Sequence, residues 1–358
     1  MTGGLPVTGS SSPPCRTDAD PSSYPVAVTV IVVNHNGGDL LVRCLEGVAS
    51  QTVAPVRILV MDNGSTDGSV ADARRCCADD ARLAGRTEMM ELDQNLGFAA
   101  ANNRAIMSCE TEYVALLNPD AFPHPRWLER LLDAARRHPE ASAFGSRQML
   151  EGSPGVLDGI GDVFHVSGLS WREGHGRKLR EDDLEEREIF SPCAAAALYR
   201  REALVEVGGF DEDFFCYFED VDLGFRLRLA GHRAIAVPDA VVDHVGSAST
   251  GGRRSDFAVY HGHRNLVWCF VKNMPNPLFY VLLIAHISQS ILVAIVFNAS
   301  GQGKTIATAK WHAVKNLPKF WIKRRSIQQA RRASAVSIWC ALDKRFWRFG
   351  ATVGRSLS

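Results

Sequence analysis

Four apolar runs, each stopped by a cluster of Asn and Asp, set the strongest limit on what this chain can fold into. "VAVTVIVV" (26–33) ends in Asn34-His35-Asn36, and "RILVM" (57–61) in Asp62-Asn63-Gly64-Ser65. "EMMEL" (88–92) ends in Asp93-Gln94-Asn95, and "YVALL" (113–117) in Asn118-Pro119-Asp120. The runs recur about every 28 residues, with helix-like stretches at Asp39–Ser50, Asp67–Ala84 and Phe98–Ser108 between them. Strands alternating with helices predict βαβ units and a parallel sheet. In such a sheet the ligand site lies outside the carboxyl ends of the strands. Turn chemistry explains Asn, Pro, Asp or Gly after any one strand. Four polar ends converging on one edge favour a polar-ligand site.

At 358 residues, the chain has room for one large domain with an appendage, or for two domains. Its zero formal charge is a cancellation: from Gly303 onward thirteen Lys and Arg stand against Asp343 alone, about +12, which leaves about −12 for the rest. That asymmetry points to a basic tail with an anionic partner. Nine scattered cysteines without a CxxC pair suit neither a disulfide framework nor a zinc site, and they favour a reducing, cytosolic setting. Residues 1–24, rich in Pro, Gly, Ser and Thr and lacking an apolar core, read as a disordered tail without a Sec-type signal peptide.

Residues 151–190 break the rhythm, and "REDDLEERE" (180–188) reads as a solvated helix face or a mobile loop. Order resumes with a small-residue strand leading into a helix (193–210), a helix starting near Glu219, and a strand at 233–238. "PLFYVLLIAHISQSILVAIVFNA" (277–299) is about the length of a membrane span, but His286, Ser288, Gln289 and Ser290 interrupt it. It reads either as a span or as a buried or interfacial hairpin. The basic stretch behind it carries Trp311, Trp321, Trp339 and Trp347, which suits an anionic membrane surface; a packed helical cap with a solvated basic face is the alternative. The division expected is a tail (1–24), a catalytic domain (25–273) and an apolar, then basic, helical region (274–358).

"VIVVNHNGGDLLVRCLEGVASQ", "VMDNGSTDGS", "NLGFAAANN", "LLNPDA", "FDEDFFCYFEDVDLGFRLRLAGHR" and "DHVGS" follow one another in that order. Over residues 26–273 they resemble the family 2 glycosyltransferases, within them the bacterial branch that includes rhamnosyltransferases. The resemblance implies an α/β fold of the GT-A type, with a mostly parallel central sheet flanked by helices and a C-terminal membrane-associating segment. It also implies inverting transfer of one sugar from a UDP- or dTDP-sugar, dTDP-rhamnose included, to a hydroxyl of a glycan or a polyprenyl-diphosphate-linked saccharide. The setting implied is cell-surface polysaccharide synthesis at the cytoplasmic face of the plasma membrane, without nucleic acid as a partner. The Q-x-x-R-W motif of processive members is missing from "FRLRLAGHR", in keeping with single addition.

Residue by residue, the resemblance implies that Asn34, Asn36 and Asp62 meet the nucleotide, while Asn95, Gly97 and Asn103 line the donor-sugar side. Asn118 stands where the family often has Asp, Asp120 and His244 match its ligands for Mg²⁺ or Mn²⁺, and Asp220 matches its general base. Such a cation takes oxygen ligands and usually only one or two carboxylates, with phosphate oxygens supplying the rest. Glu219 and Asp222 would tend to raise the pKa of Asp220, and Arg226 either holds this acidic cluster or is a surface charge. Each residue also has a plainer reading: Asp62-Asn63-Gly64 as a turn, Glu219, Asp220 and Asp222 as first-turn acids, and His244 as a structural histidine. Competing functions are a nucleotidyltransferase, although the first loop lacks Lys and Arg, and a catalytically inactive sugar-nucleotide or glycan-binding module. No G-x-G-x-x-G follows the first strand, which disfavours a dinucleotide-dependent oxidoreductase.

Overall fold

The structure, a computed structural model, describes residues 27–246 and 254–345. The expected disordered tail (1–24) and Trp347 lie outside the described residues. The first half alternates as its sequence predicts: β1 (Val28–Asn34), α1 (Asp39–Ala49), β2 (Arg57–Asp62), α2 (Ser69–Asp79), β3 (Thr87–Glu91), α3 (Phe98–Met107) and β4 (Tyr113–Leu117). These strands pair in parallel in the order β3-β2-β1-β4. Helix α2 stops at Asp79, short of the expected Ala84. Both faces of β1 are covered: Val28, Val30 and Val32 pack with α1, α2 and α4 (Trp127–Arg137), whereas Ile31 and Val33 pack with α3. That double cover is why these strands read as unbroken apolar runs. Each such side chain contributes about 1.5–3 kcal/mol on burial.

Beyond β4 the sheet becomes mixed. The remaining strands are β5 (Ala121–Pro123), β6 (Ala141–Leu150), β7 (Leu157–Gly159), β8 (Asp162–Phe164), β9 (Ser170–Arg172), β10 (Arg187–Ile189), β11 (Ala196–Arg200) and β12 (Arg233–His244). β11 runs antiparallel between β4 and β6, and β12 pairs with β6 in parallel. Within β12 the register jumps from Val237–Ser146 to Val241–Arg147, so Pro238, Asp239 and Ala240 form a bulge. The bulge lets β12 run on to pair with β5, His244 opposite Ala121.

The charged stretch 180–188 is neither a helix face nor a loose loop. It makes a 3-10 turn at Glu181–Leu184 and then the edge strand β10 on β12. Asp183 is buried there because Arg177 and the Arg180 N–H hold it.

Helix α5 (Arg201–Glu206) leads to α6 (Glu219–Leu229), which is buried on two sides. Its Leu223 and Leu227 face the sheet, while Val221, Phe225 and Leu229 enter a second core. That core is shared with α7 (Asp256–Asn273), α8 (Leu278–Ala299), α9 (Gly303–Lys315), α10 (Leu317–Ala330) and α11 (Ala335–Ala341), through Trp268, Phe270, Phe279, Ala313, Phe320 and Ile338. The border expected after Asn273 therefore falls inside one packed cluster. Buried Arg324 of α10 donates to the carbonyl oxygens of Val271 and Met274 across it.

Candidate active site

The polar ends of β1 to β4 do meet on one edge, and they form one wall of a cavity of ≈ 780 Å³. At β1 and β2, Asn34 is fully buried and donates from Nδ2 to Asp62 Oδ1 (2.9 Å), Ser65 Oγ (3.0 Å) and Ser69 Oγ (2.9 Å). Asp62 also accepts from the Ser65 amide at 3.0 Å. Both side chains are thus engaged in joining the two strand ends. Asn36, at φ 53°, accepts the Thr66 amide with its Oδ1 and stays exposed. Asn103 is committed elsewhere, bonded both to and from the Phe210 backbone at 2.9 and 2.8 Å. Of the expected nucleotide and donor residues, Asn95, Gly97 and Asn118 line the cavity, whereas Asn34, Asn36, Asp62 and Asn103 do not.

Asn63, which the sequence reading passed over, faces the cavity with Asn95. Its Nδ2 donates to Asn95 Oδ1 (2.9 Å), and its Oδ1 accepts the Leu96 amide (2.8 Å). Gly97 has φ 86°, and a Cβ there would sit 2.5 Å from the Phe215 ring, so glycine is required on both counts.

The Asn118-Pro119-Asp120 stop is both a turn and a site. The Asn118 carbonyl accepts the Ala121 amide (3.1 Å), closing a turn with Pro119 and Asp120 at its centre. That turn presents Asp120 to the cavity. Across from it, the β5–β12 pairing brings His244 Nε2 within 3.4 Å of Asp120 Oδ1. His244 Nδ1 lies 2.8 Å from Asp158 Oδ2, which fixes which ring nitrogen faces Asp120. Burial would push Asp158 up, but Arg172 at 2.6 Å and the His175 and His244 contacts outweigh it and hold the carboxyl far below its ordinary range. Burial likewise opposes protonation of His244, yet the two carboxylates beside it raise its pKa.

Asp120 and His244 fit a divalent cation: two ligand atoms, one charged, face one space, and the imidazole is oriented from behind. Among the described residues no group of three or more His, Cys, Asp or Glu side chains could hold a metal ion, so this pair needs ligand oxygens to complete a shell.

The opposite wall comes from β9, the 215–218 loop and the first turns of α6 and α7. Ser170, Trp171 and Arg172 of β9 belong to the stretch where sequence reasoning assigned nothing. Asp220, in the first turn of α6, faces the cavity and accepts the Val221 amide on Oδ1 (2.8 Å) and the Ala194 amide on Oδ2 (3.4 Å). Its two acidic neighbours do not act as simple like charges. Burial, then the charge of Asp220, raises Glu219 well above the usual carboxylate range. Asp222 turns away to Lys272 (2.7 Å), Arg226 (2.8 Å) and Asn273 (2.7 Å). Arg226 is therefore a buried partner of the cluster, not a surface charge.

Residues 29–208 match the family model described as glycosyl transferase family 2. The chain is 34% identical over 260 residues to the N-acetylglucosaminyl-diphospho-decaprenol L-rhamnosyltransferase of Mycobacterium tuberculosis, an alignment covering 65% of this chain and 80% of that protein. It is 29% identical over 245 residues to the O-antigen biosynthesis protein RfbC of Myxococcus xanthus, covering 65% of this chain and 18% of that one. Among solved structures, the Pyrobaculum calidifontis mannosyltransferase in complex with GDP-Man and Mn²⁺ superimposes with a TM-score of 0.52 at 20% identity, over 86% of both chains. GalNAc-T7 with UDP, GalNAc and Mn²⁺ superimposes at 0.57 and 13% identity, over 82% of this chain and 56% of that one. At those identities the structural likeness shows a shared fold of the GT-A type.

Proposed function

The chain belongs to glycosyl transferase family 2, in its rhamnosyltransferase-like branch, and from that premise we propose a metal-dependent, inverting transfer of a single sugar. The donor is a nucleotide-diphosphate sugar, UDP- or dTDP-linked, with dTDP-rhamnose favoured by the similarity to a rhamnosyltransferase. The acceptor is a hydroxyl of a polyprenyl-diphosphate-linked saccharide in cell-surface polysaccharide synthesis. The observation that carries the reading is that Asp120, with His244 3.4 Å from it, and Asp220 line one cavity.

Asp220 takes the proton of the acceptor hydroxyl as its oxygen attacks the anomeric carbon. The new C–O bond forms on the face opposite the breaking bond to the diphosphate oxygen, which leaves with the electron pair. A carboxylate works here by geometry, and the amides of Val221 and Ala194 fix its orientation. Asp120 and His244 would hold Mg²⁺ or Mn²⁺, and the bound cation would supply positive charge against that of the leaving diphosphate. Asn63 and Asn95 offer polar groups to the donor on the first wall.

Membrane association is supported by α8. Its inward stripe is Phe279, Leu282, His286, Gln289, Val293 and Phe297, while Tyr280, Val281, Ile284, Ile287, Ile291 and Ile295 face outward, Ile284 at 75% exposure. His286 stacks on Phe270 at 4.1 Å and bonds the Ser167 carbonyl oxygen at 2.9 Å, so His286 and Gln289 of the polar interruption belong to the protein side, with Ser290 half-buried and Ser288 exposed. Such a helix lies on a cytoplasmic membrane face with its apolar side in lipid and the basic residues near anionic headgroups.

The test is nucleoside-diphosphate release from a panel of UDP-, dTDP- and GDP-sugars, with Mg²⁺ or Mn²⁺ and then with EDTA. Metal-dependent release from one donor is expected, most strongly dTDP-rhamnose with a lipid-linked acceptor present. Donor binding without turnover under every condition would leave a binding module instead.

A further inference from the structure

The loop that delivers Asp220 holds an unfavourable backbone. Phe215 (φ 65°), Tyr217 (φ 69°) and Phe218 (φ 69°) are three of the four non-glycine residues with positive φ among the described residues. Phe215, at ψ −65°, has the strained γ-turn conformation. Aromatic side chains rarely adopt such conformations, which persist only where surrounding contacts over-determine them.

Those contacts come mainly from one side chain on α7. Asn265 is fully buried, and its Nδ2 donates to the carbonyl oxygens of Phe214 (2.9 Å), Cys216 (3.0 Å) and Tyr217 (2.7 Å). Its Oδ1 accepts from Arg264 Nε (2.9 Å), which orients the carboxamide with its N–H groups toward the loop. Arg264 adds a bond to the Phe214 carbonyl oxygen (3.0 Å) and lies over the Trp268 ring at 4.3 Å. Two helical turns on, Lys272 and Asn273 of the same helix grip Asp222 of α6 at 2.7 Å each. Helix α7 therefore holds the strained loop before Asp220 at one end and the second residue after Asp220 at the other.

We infer that Asn265 is a positioning residue for the transfer reaction: by holding the carbonyl oxygens of Phe214, Cys216 and Tyr217, it fixes the loop that aims Asp220 at the acceptor hydroxyl. The inference rests on Asp220 being the base. Asn265 does not line the cavity and touches neither reactant. Its loss acts through the angle and position of Asp220, so the acceptor step suffers more than donor binding. A loosened base also lets water compete with the acceptor.

The test is a double-mutant cycle between Asn265→Ala and Asp220→Asn, read in the full-length protein. Each variant is assayed for transfer, for donor hydrolysis without transfer, and for donor binding by calorimetry. Asn265→Ala is expected to lower kcat about tenfold to a hundredfold, the range a misplaced group can cost. Donor KM should stay within threefold, and the hydrolysis-to-transfer ratio should rise. In the Asp220→Asn background, the same change should lower the residual kcat by less than twofold. A merely structural asparagine would weaken donor binding and turnover together, equally in both backgrounds, and that additivity would overturn the inference. Asn265→Ser, a milder change that keeps one donor, covers the case where the alanine variant does not fold; an unchanged ratio and kcat there overturn it too. Full turnover in Asp220→Asn would remove the base assignment, and the role of Asn265 with it. A dead Asp220→Asn beside a fully active Asn265→Ala removes only the latter.

Discussion

The two walls of the cavity are built on opposite plans. The first wall is local: each parallel strand runs out into its own turn, and Asn63, Asn95 and Asp120 sit where turn chemistry would put such residues anyway. The second wall is assembled from far apart in the chain. β9, the 215–218 loop and α7 meet there, and three of the carbonyl oxygens in and before that loop are held by a side chain that arrives about fifty residues later. The difference teaches where binding and chemistry separate. The proposed donor side rests on backbone that folds by its own preferences, and Asp220, the proposed base, follows a loop held in large part by a distant helix.

The sharpest way to break that division is Asp220→Asn, an isosteric change on the second wall. Transfer should fall about 10²–10⁴-fold, the usual worth of a positioned base, with donor affinity within threefold by calorimetry. Lost donor binding would mean that the walls do not divide the work. Asp158→Asn probes the seam, because Asp158 orients His244 from behind while Asp120 belongs to the first wall. Mn²⁺-supported donor binding should weaken about 10–100-fold, as for other groups that orient a metal-binding imidazole. Unchanged affinity would show that His244 needs no such orientation.

Acid should loosen the second wall before the first. Burial would raise Asp211, but Lys272 at 2.5 Å and Lys323 hold it well below the usual carboxylate range. A depressed folded pKa gives stability that is present above the unfolded value of about 3.9 and is lost as pH falls below it. On the order of 2 kcal/mol should disappear between about pH 5 and 2, with amides of α7 and α10 exchanging earlier than those of β1 and β2. Asp211→Asn should flatten that pH dependence; an unaltered profile would exclude this tie. The smallest effect on the fold belongs to Ile284→Glu, outside both walls. Stability should change by no more than about 0.5 kcal/mol, while binding to anionic vesicles drops about tenfold, in line with the worth of one buried apolar side chain. Undiminished vesicle binding would exclude that face of α8.

The same contrast governs how much could be read beforehand. β1 to β4 matched the sequence within two residues at each end because apolar runs and turn residues act over a few positions. Asp120, His244 and Asp220 share the cavity, as the family motifs imply. Asn34, Asn36, Asp62 and Asn103, expected at the nucleotide or the donor sugar, are bonded to other parts of the protein: a polar residue at a strand end can serve a ligand or tie the next strand, and its type does not say which. Asp183 and Arg172 were missed because their partners are found only in three dimensions. The polar break in α8 did carry a usable signal, since His286, Gln289 and Val293 fall three to four residues apart on the buried stripe.

The bulge in β12 aims His244 by register. Val237 and Val241 are four residues apart, yet their partners Ser146 and Arg147 are adjacent on β6, so the two valines face opposite sides of the sheet. Pro238, Asp239 and Ala240 thus uncouple the count along β12 from the face it presents. What directs the imidazole is the ladder beyond them, Val241 to His244 on Arg147 to Leu150 and His244 on Ala121. A change of length within those three residues should leave His244 in place as long as that ladder holds.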